Sequence, residues 1–265
     1  MGGRSSNLKE PQLMKRFLGY SLVGLLAYGA FLILQCPATT LMELAAQQLP
    51  GFTVQSAQGS ALRGTAKGIR LHHVKLEMLT WQLRLLPLLL GRLEYKFAVA
   101  EPQLRLDGIV NIGLTRQLHI AELSGHMPLP QAIFLTGHPP PPVAGELRLE
   151  EIQLRLDQDG RPNTAHGMIR LLNAHTTFGR SLKLGGFSAT LDSRHQDIMA
   201  TIKDNGGPLE LTGTFSLASN GRYHLMAQAA IRDKNNQQLQ QALNMLTRPS
   251  GDGKWHIELT GMLPV

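Results

Sequence analysis

From Gln55 onward apolar and polar residues alternate with a period of two, the pattern of strands that bury one face and wet the other. Val74, Leu76 and Met78 alternate with Lys75 and Glu77; Leu79, Trp81, Leu83 and Leu85 then alternate with Thr80, Gln82 and Arg84. The phase slips by one residue at Met78/Leu79, which flips side chains to the other face unless a bulge or turn intervenes. Further alternating runs fall at Leu93–Val99, Leu104/Leu106, Leu147/Leu149, Ile152–Leu156, Ile198–Ile202, Leu209/Leu211, Phe215/Leu217, Tyr223–Ile231 and Trp255–Leu259. Turn chemistry separates several of them: Asp157-Gln-Asp-Gly160, Asp204-Asn-Gly-Gly207, Asn220-Gly221 and Gly251-Asp-Gly253 predict closing hairpins. The expected fold is mainly β: a curved antiparallel sheet with one apolar face and one or two short helices.

Two stretches break the period. Thr40-Leu-Met-Glu43 has capping-box spacing, and Leu41, Leu44, Ala45 and Leu49 recur at helical intervals before Pro50-Gly51, so residues 37–54 read as a short amphipathic helix and linker. Leu239, Ala242, Leu243 and Leu246 share one helical face and predict a second helix over Asn236 to Leu246. Pro139-Pro-Pro-Pro142 cannot lie inside a sheet, so residues 139–144 form a connector between a first β-rich half, 55–138, and a second, 145–265. Ile69-Arg-Leu-His-His-Val-Lys-Leu-Glu77 matches Leu147-Arg-Leu-Glu-Glu-Ile-Gln-Leu-Arg155 in its apolar positions. Either the halves are related and stack as two sheet units, or two amphipathic strands agree by periodicity alone.

The longest apolar run precedes all of this. Phe17 to Leu34 carries no charge over 18 residues, about 27 Å as a helix, close to the thickness of a bilayer core. A transmembrane helix is therefore expected over 17–36, behind a basic tail, 1–16. A cleaved secretory signal is the competing reading, but it wants a shorter apolar region and a small-residue site; Pro37 sits beside the candidate at Cys36-Pro37-Ala38, and Gln35 stands where a lipoprotein signal needs a small residue.

Charge sharpens the topology. The net charge of +7 and 26 basic residues raise the question of nucleic acid. Four of the cations, Arg4, Lys9, Lys15 and Arg16, lie before the apolar run with only Glu10 against them, and the remaining 22 basic and 18 acidic residues give +4. The basic tail thus predicts a cytoplasmic N-terminus and an exported remainder, and with 5% aromatic residues no nucleic-acid partner is expected. The single cysteine, Cys36, excludes an intramolecular disulfide framework and a Cys-based zinc site.

Catalytic patterns are not met. Gly59-Ser-Ala-Leu-Arg-Gly64-Thr65 has the glycine spacing of a phosphate loop, but Thr65 stands where the lysine belongs. No H-E-x-x-H or G-x-S-x-G sequence occurs. Adjacent His72 and His73 would point to opposite faces of a strand, and Glu150, Glu151 and Asp204 read as solvated or turn-forming carboxylates. No catalytic residue, cofactor or metal is expected. The run Leu85-Leu-Pro-Leu-Leu-Leu90 before Gly91 is too short to span a bilayer; it is either a buried corner over the sheet or an exposed contact for a partner or lipid.

Gly59 and Gly64, Trp81 with Pro87 and Gly91, Asp204-Asn-Gly206-Gly207-Pro208-Leu209 with Gly213, and Gly221-Arg-Tyr223 follow in an order that resembles the type II secretion system protein N family, within the broader AsmA-like group. The resemblance spans nearly the whole chain and implies a bitopic inner-membrane component of a Gram-negative machine that exports folded proteins across the outer membrane. It implies a single span with the C-terminal domain in the periplasm. Partners would be other type II secretion proteins of the inner membrane and periplasm, the secretin among the candidates. It implies no catalytic motif. The AsmA-like likeness leaves an alternative open, a periplasmic groove that binds or transfers lipid or another hydrophobe.

Overall fold

The computed structural model describes residues 24, 28, 36–48, 52–71, 74–88, 92–112, 118–135, 142–157, 160–177, 181–194, 197–233, 235–246 and 253–262. Helix α1 (Ala38–Gln48) leads into strands β1 (Phe52–Thr53), β2 (Ser56–Gly59), β3 (Arg63–Leu71) and β4 (Val74–Arg84), then the one-turn α2 (Leu85–Leu88). Strands β5 (Leu93–Ala100), β6 (Arg105–Ile112) and β7 (Leu118–Pro128) precede α3 (Leu129–Leu135). The chain continues through β8 (Val143–Leu156), β9 (Pro162–Thr176), β10 (Lys183–Arg194), β11 (Asp197–Asp204), β12 (Leu209–Leu217) and β13 (Arg222–Ile231). Helix α4 (Gln237–Leu246) and strand β14 (Trp255–Met262) complete the described elements.

All the strands join one 14-stranded antiparallel meander, in sequence order from β3 to β14, with β1 and β2 both laid along the outer side of β3. One row of cross-strand partners crosses the whole sheet: Ala66, Leu79, Val99, Leu106, Gly125, Leu149, Ile169, Ala189, Ile202, Gly213, Ala227 and Ile257. Every member is apolar. The adjacent row from β8 to β14 reads Arg148, Arg170, Ser188, Lys203, Thr212, Gln228 and His256, all polar. Alternation with period two thus gives the sheet one apolar face, and the helices pack on it. Helix α1 contributes Ala38 to a cluster with Ala66, Ile69 and Trp81; Ala132 of α3 packs on Val99, Leu104 and Met127; and Leu239 and Leu243 of α4 cover Leu209, Ala229 and Trp255.

The phase slip at Met78/Leu79 is resolved without a register shift. The β3–β4 ladder passes from Lys67↔Met78 to Ile69↔Leu76, leaving Gly68 and Glu77 out of it. Gly68 takes a φ of 62°, a left-handed conformation that glycine adopts freely. The Glu77 N–H instead donates to the Glu101 carboxylate at 2.6 Å. Both strands change phase together, and Ala66 and Ile69 are both buried.

Three expectations are corrected. First, the two halves are not stacked as separate units: β7 and β8, which flank α3 and the proline connector, pair directly from Leu118↔Leu156 to Pro128↔Glu146. The two matching segments also differ locally: Leu71 and Val74 are the paired ends of two strands, and His72 and His73 between them lie outside the described residues. Glu150-Glu151, by contrast, lie inside the single strand β8, at a bulge where Glu151 has a φ of 50°. Second, β13 and β14 are not joined by a tight hairpin: α4 lies between them in the chain and packs on the apolar face, and Gly251 and Asp252 lie outside the described residues. Third, Thr40 does not cap α1, since a bridge between Pro37 and Ser60 starts the helix at Ala38.

The predicted membrane span, 17–36, falls almost entirely outside the described residues, as do the basic tail, residues 139–141, His72, His73 and Gly91. Among the described residues no helix is long and apolar enough to cross a membrane.

Candidate functional site

An open sheet has two edges, and each edge exposes backbone N–H and C=O groups that another strand can pair with. In this sheet the edges differ. At the N-terminal edge the outer side of β3 is occupied by two short strands, β1 of two residues and β2 of four. The edge is further closed by chain from α1: Pro37 bridges to Ser60, and the Ala61 N–H donates to the Cys36 carbonyl at 2.8 Å.

The C-terminal edge is uninterrupted. Strand β14 pairs with β13 over its full eight residues, from Ala229↔Trp255 to Arg222↔Met262, with no bulge, and it has no neighbour on its other side among the described residues. Within Trp255–Met262 there is no Lys or Pro, the residues that commonly blunt a free edge. His256, Glu258 and Thr260 are exposed. So are Leu259 at 53% and Met262 at 62%.

Packing holds this edge in place. Asn236 caps α4, its Oδ1 accepting the Leu239 N–H at 3.1 Å. From the same helix Asn244 Oδ1 accepts the Trp255 indole N–H at 3.0 Å. On β13, Tyr223 lies directly across from Gly261 and covers the space a side chain there would fill. Its ring stacks on Phe215 with centroids 6.2 Å apart.

The family-like positions fall into two separate groups. Gly59, Gly64 and Trp81 lie at the N-terminal edge, where the Trp81 ring fills the place of a side chain on its cross-strand partner Gly64. Pro87 lies in α2. The remainder frame β12 to β14: Asp204, Gly206, Gly207 and Pro208 form the β11–β12 turn, Leu209 is buried beneath α4, and Gly213 opposes Ala227. Gly221 closes the turn into Tyr223, its N–H donating to the Ala218 carbonyl at 2.9 Å. These positions shape the sheet and do not converge on one site.

Arg232, which the sequence reading did not single out, locks the β11–β12 turn. Its Nη2 donates to Asp204 Oδ1 at 2.9 Å and its Nη1 to the Gly207 carbonyl at 3.0 Å. Asp204 Oδ1 also accepts the Gly206 N–H at 2.9 Å. The Gly206 hydrogen bond first, and then the Arg232 hydrogen bond and charge, hold the Asp204 carboxyl below the usual carboxylate range against the opposing effect of burial. A depressed folded-state pKa stabilises the fold above the unfolded value of about 3.9 and ceases to do so as pH falls through the folded value. Asp204→Asn should therefore lower stability at neutral pH and flatten the acid limb of the stability curve below about pH 4. Urea unfolding at a series of pH values checks this.

Shallow depressions open over the sheet, and polar or charged groups lie around them. One of about 560 Å³ is lined by Gly59, Gly64 and Trp81 together with Arg63, Gln82 and Lys96. Another, of about 530 Å³, borders the free edge at His256 and Glu258. A third, of about 750 Å³, holds Ser124, Glu150, Glu151 and His166. There Glu150 pairs with Arg170, His166 with Asp192, and Ser124 Oγ accepts the Glu151 N–H, the arrangement of surface ion pairs and a bulge. No group of three or more His, Cys, Asp or Glu side chains is placed to hold a metal among the described residues. The lipid-groove alternative gains no support from these depressions, which are flanked by polar side chains.

The family described as Type II secretion system (T2SS), protein N, matches residues 50–258. The chain is 27% identical to the Type II secretion system protein N of Vibrio cholerae serotype O1 (strain El Tor Inaba N16961), over 94% of this chain and 100% of that protein. No solved structure matches.

Proposed function

Because the chain belongs to the type II secretion system protein N family, we propose that it is a non-enzymatic, inner-membrane-anchored component of the secretion machinery. In this reading residues 17–36 span the inner membrane once, with the N-terminus in the cytoplasm and the sheet in the periplasm. The sheet acts through protein contacts with other secretion-system proteins of the inner membrane and periplasm, the secretin being a candidate. Contact is made by strand addition along β14.

The observation that carries the reading is the asymmetry of the two edges: one is occupied by short strands and α1, whereas the other is eight residues long, unbulged and packed against α4. Strand addition takes affinity from main-chain hydrogen bonds and specificity from side chains on either face; β14 exposes Leu259 on one face and Met262 on the other.

Consecutive residues in an antiparallel strand direct their backbone groups to opposite sides, so of Ile257 and Glu258 one bonds β13 and the other faces the open edge. Proline at the outward position is expected to leave the urea midpoint nearly unchanged while stopping enzyme export into the medium. Proline at the inward position should lower the midpoint by removing a ladder bond. Normal export from a folded outward-proline variant would contradict the reading.

A further inference from the structure

Leu86 is the most exposed large apolar side chain among the described residues, at 80%, and its neighbour Leu85 is 55% exposed. Together they form the corner α2 between β4 and β5, closed by the Arg92 N–H donating to the Pro87 carbonyl at 3.1 Å. A short backbone path joins this corner to the predicted membrane exit. The Ala61 N–H donates to the Cys36 carbonyl at 2.8 Å, and the Leu83 N–H donates to the Leu62 carbonyl at 2.6 Å. Leu85 follows Leu83 by two residues. Cys36 follows Leu34, the last residue of the apolar run, also by two residues, a span of at most about 7 Å. The bilayer surface and the α2 corner therefore lie at the same end of the sheet.

Charge around the corner fits the same surface. Exposed Arg63 and Lys96 flank Gln82 in the register, three residues before Leu85, and exposed Arg92 follows the corner, while Arg84 pairs with Glu94 at 2.5 Å. Exposed leucines with Arg and Lys on the adjoining strands are the chemistry of a segment that rests in the interface of an anionic bilayer, apolar side chains among the acyl chains and cations at the phosphates.

We propose that α2 is a second membrane contact: Leu85 and Leu86 insert into the periplasmic leaflet beside the transmembrane segment and fix the tilt of the sheet on the membrane. The proposal rests on the anchored reading above. It gives the sheet two points of attachment at one end and leaves the opposite end, with the Asp204–Leu209 turn, away from the bilayer.

The test uses the full chain carrying Cys36→Ser and Leu86→Cys, labelled with the polarity-sensitive fluorophore NBD and reconstituted in phosphatidylethanolamine/phosphatidylglycerol nanodiscs. Gln103→Cys, exposed in the β5–β6 connection at the other end of β5, serves as the reference, and Leu85→Cys replaces Leu86→Cys if the latter fails to fold. The expected result is a blue-shifted emission at position 86 that doxyl-labelled lipid quenches, with neither effect at position 103. A water-like, unquenched probe at 86 would overturn the proposal, as would a blue shift without lipid quenching, which signals a protein contact instead. Alkaline carbonate extraction of cell membranes separates the two readings. A chain that stays in the membrane while position 86 remains in water refutes the α2 contact alone, whereas a chain released by carbonate refutes the anchor and the contact together.

Discussion

Trp81→Ala should lower the unfolding free energy by about 3–5 kcal/mol, the cost of truncating a buried aromatic to a methyl group. Trp81 is 6% exposed and packs with Ala38 of α1, Ala66 and Ile69. Its ring lies over Gly64, and its indole N–H donates to the Ser60 carbonyl at 3.2 Å. Three losses therefore coincide. The ring leaves a void between α1 and the sheet, the Ser60 carbonyl loses a donor, and Gly64 loses the aromatic that fills its missing side chain. Ser60 is also the bridge partner of Pro37, so the same change loosens the cover on the N-terminal edge. Trp81→Phe keeps a ring over Gly64 and should cost about half as much or less. Urea unfolding of the full chain in detergent, followed by far-UV circular dichroism because one of the two tryptophans is removed, reads both variants.

Gly207→Ala should cost about 3 kcal/mol, the upper range for forcing extra atoms into a filled site. A methyl group built on Gly207 would lie 2.5 Å from the Gly185 Cα and 2.9 Å from the Leu184 carbonyl oxygen, and one built on Gly185 would lie 2.6 Å from the Gly207 Cα. Both obstacles are backbone, so no side chain can swing aside, and the chain segments must separate. Gly206→Ala is the informative contrast. Its φ of 88° makes any side chain strained, but the nearest atom is Arg232 Nη1 at 3.8 Å, so only the conformational cost of about 1–2 kcal/mol applies. Because Gly185→Ala and Gly207→Ala both force apart the same two segments, the double variant should cost less than the sum of the two. Thermal midpoints of the four proteins give the comparison.

Much of the sheet was legible because burial on one face imposes period two, and where strands are regular the pattern survives. The runs at β11 to β14 were read from Ile198, Phe215, Tyr223 and Trp255 onward, and their registers are unshifted. Of the longer strands not read as alternating runs, β7, β9 and β10 lie where the ladder is bulged, whereas β3 pairs with β4 without a register shift. Glu122 and Asn173 take positive φ, as do Gly125, Gly167 and Gly185, and each change of phase cuts an alternating run into pieces too short to recognise. Glu150-Glu151 did carry the signal of such a bulge, a polar pair inside an apolar alternation, but the same signal at His72-His73 marks the connection between two strands. Local sequence alone does not distinguish them, and the apparent repeat followed from that ambiguity.

The candidate edge was legible in part. Trp255, Ile257 and Leu259 announced a strand and Leu239, Leu243 and Leu246 a helix, but which strand ends the sheet is a matter of pairing, and pairing is non-local. The glycine and aromatic motif positions lie apart in the sheet and do not converge on one site. Their shared structural role, filling and tightening the sheet at its two edges, depends on partners such as Gly64↔Trp81 and Tyr223↔Gly261, which are 17 and 38 residues apart. Arg232 was missed because an exposed arginine after a strand has no pattern of its own; its importance lies in the Asp204 carboxylate and the Gly207 carbonyl that it reaches.

The central claim, that β14 is the edge on which a secretion partner adds a strand, is tested most directly by photo-crosslinking in cells that are secreting. A photoreactive phenylalanine analogue is placed singly at Glu258 and Thr260 on β14, and at Thr53 and Ser56 on the occupied edge. The account predicts an adduct with another type II secretion protein from the β14 positions and none from the β1 and β2 positions. Adducts from Thr53 and Ser56 alone, or no adduct from β14 while export proceeds normally, would contradict it.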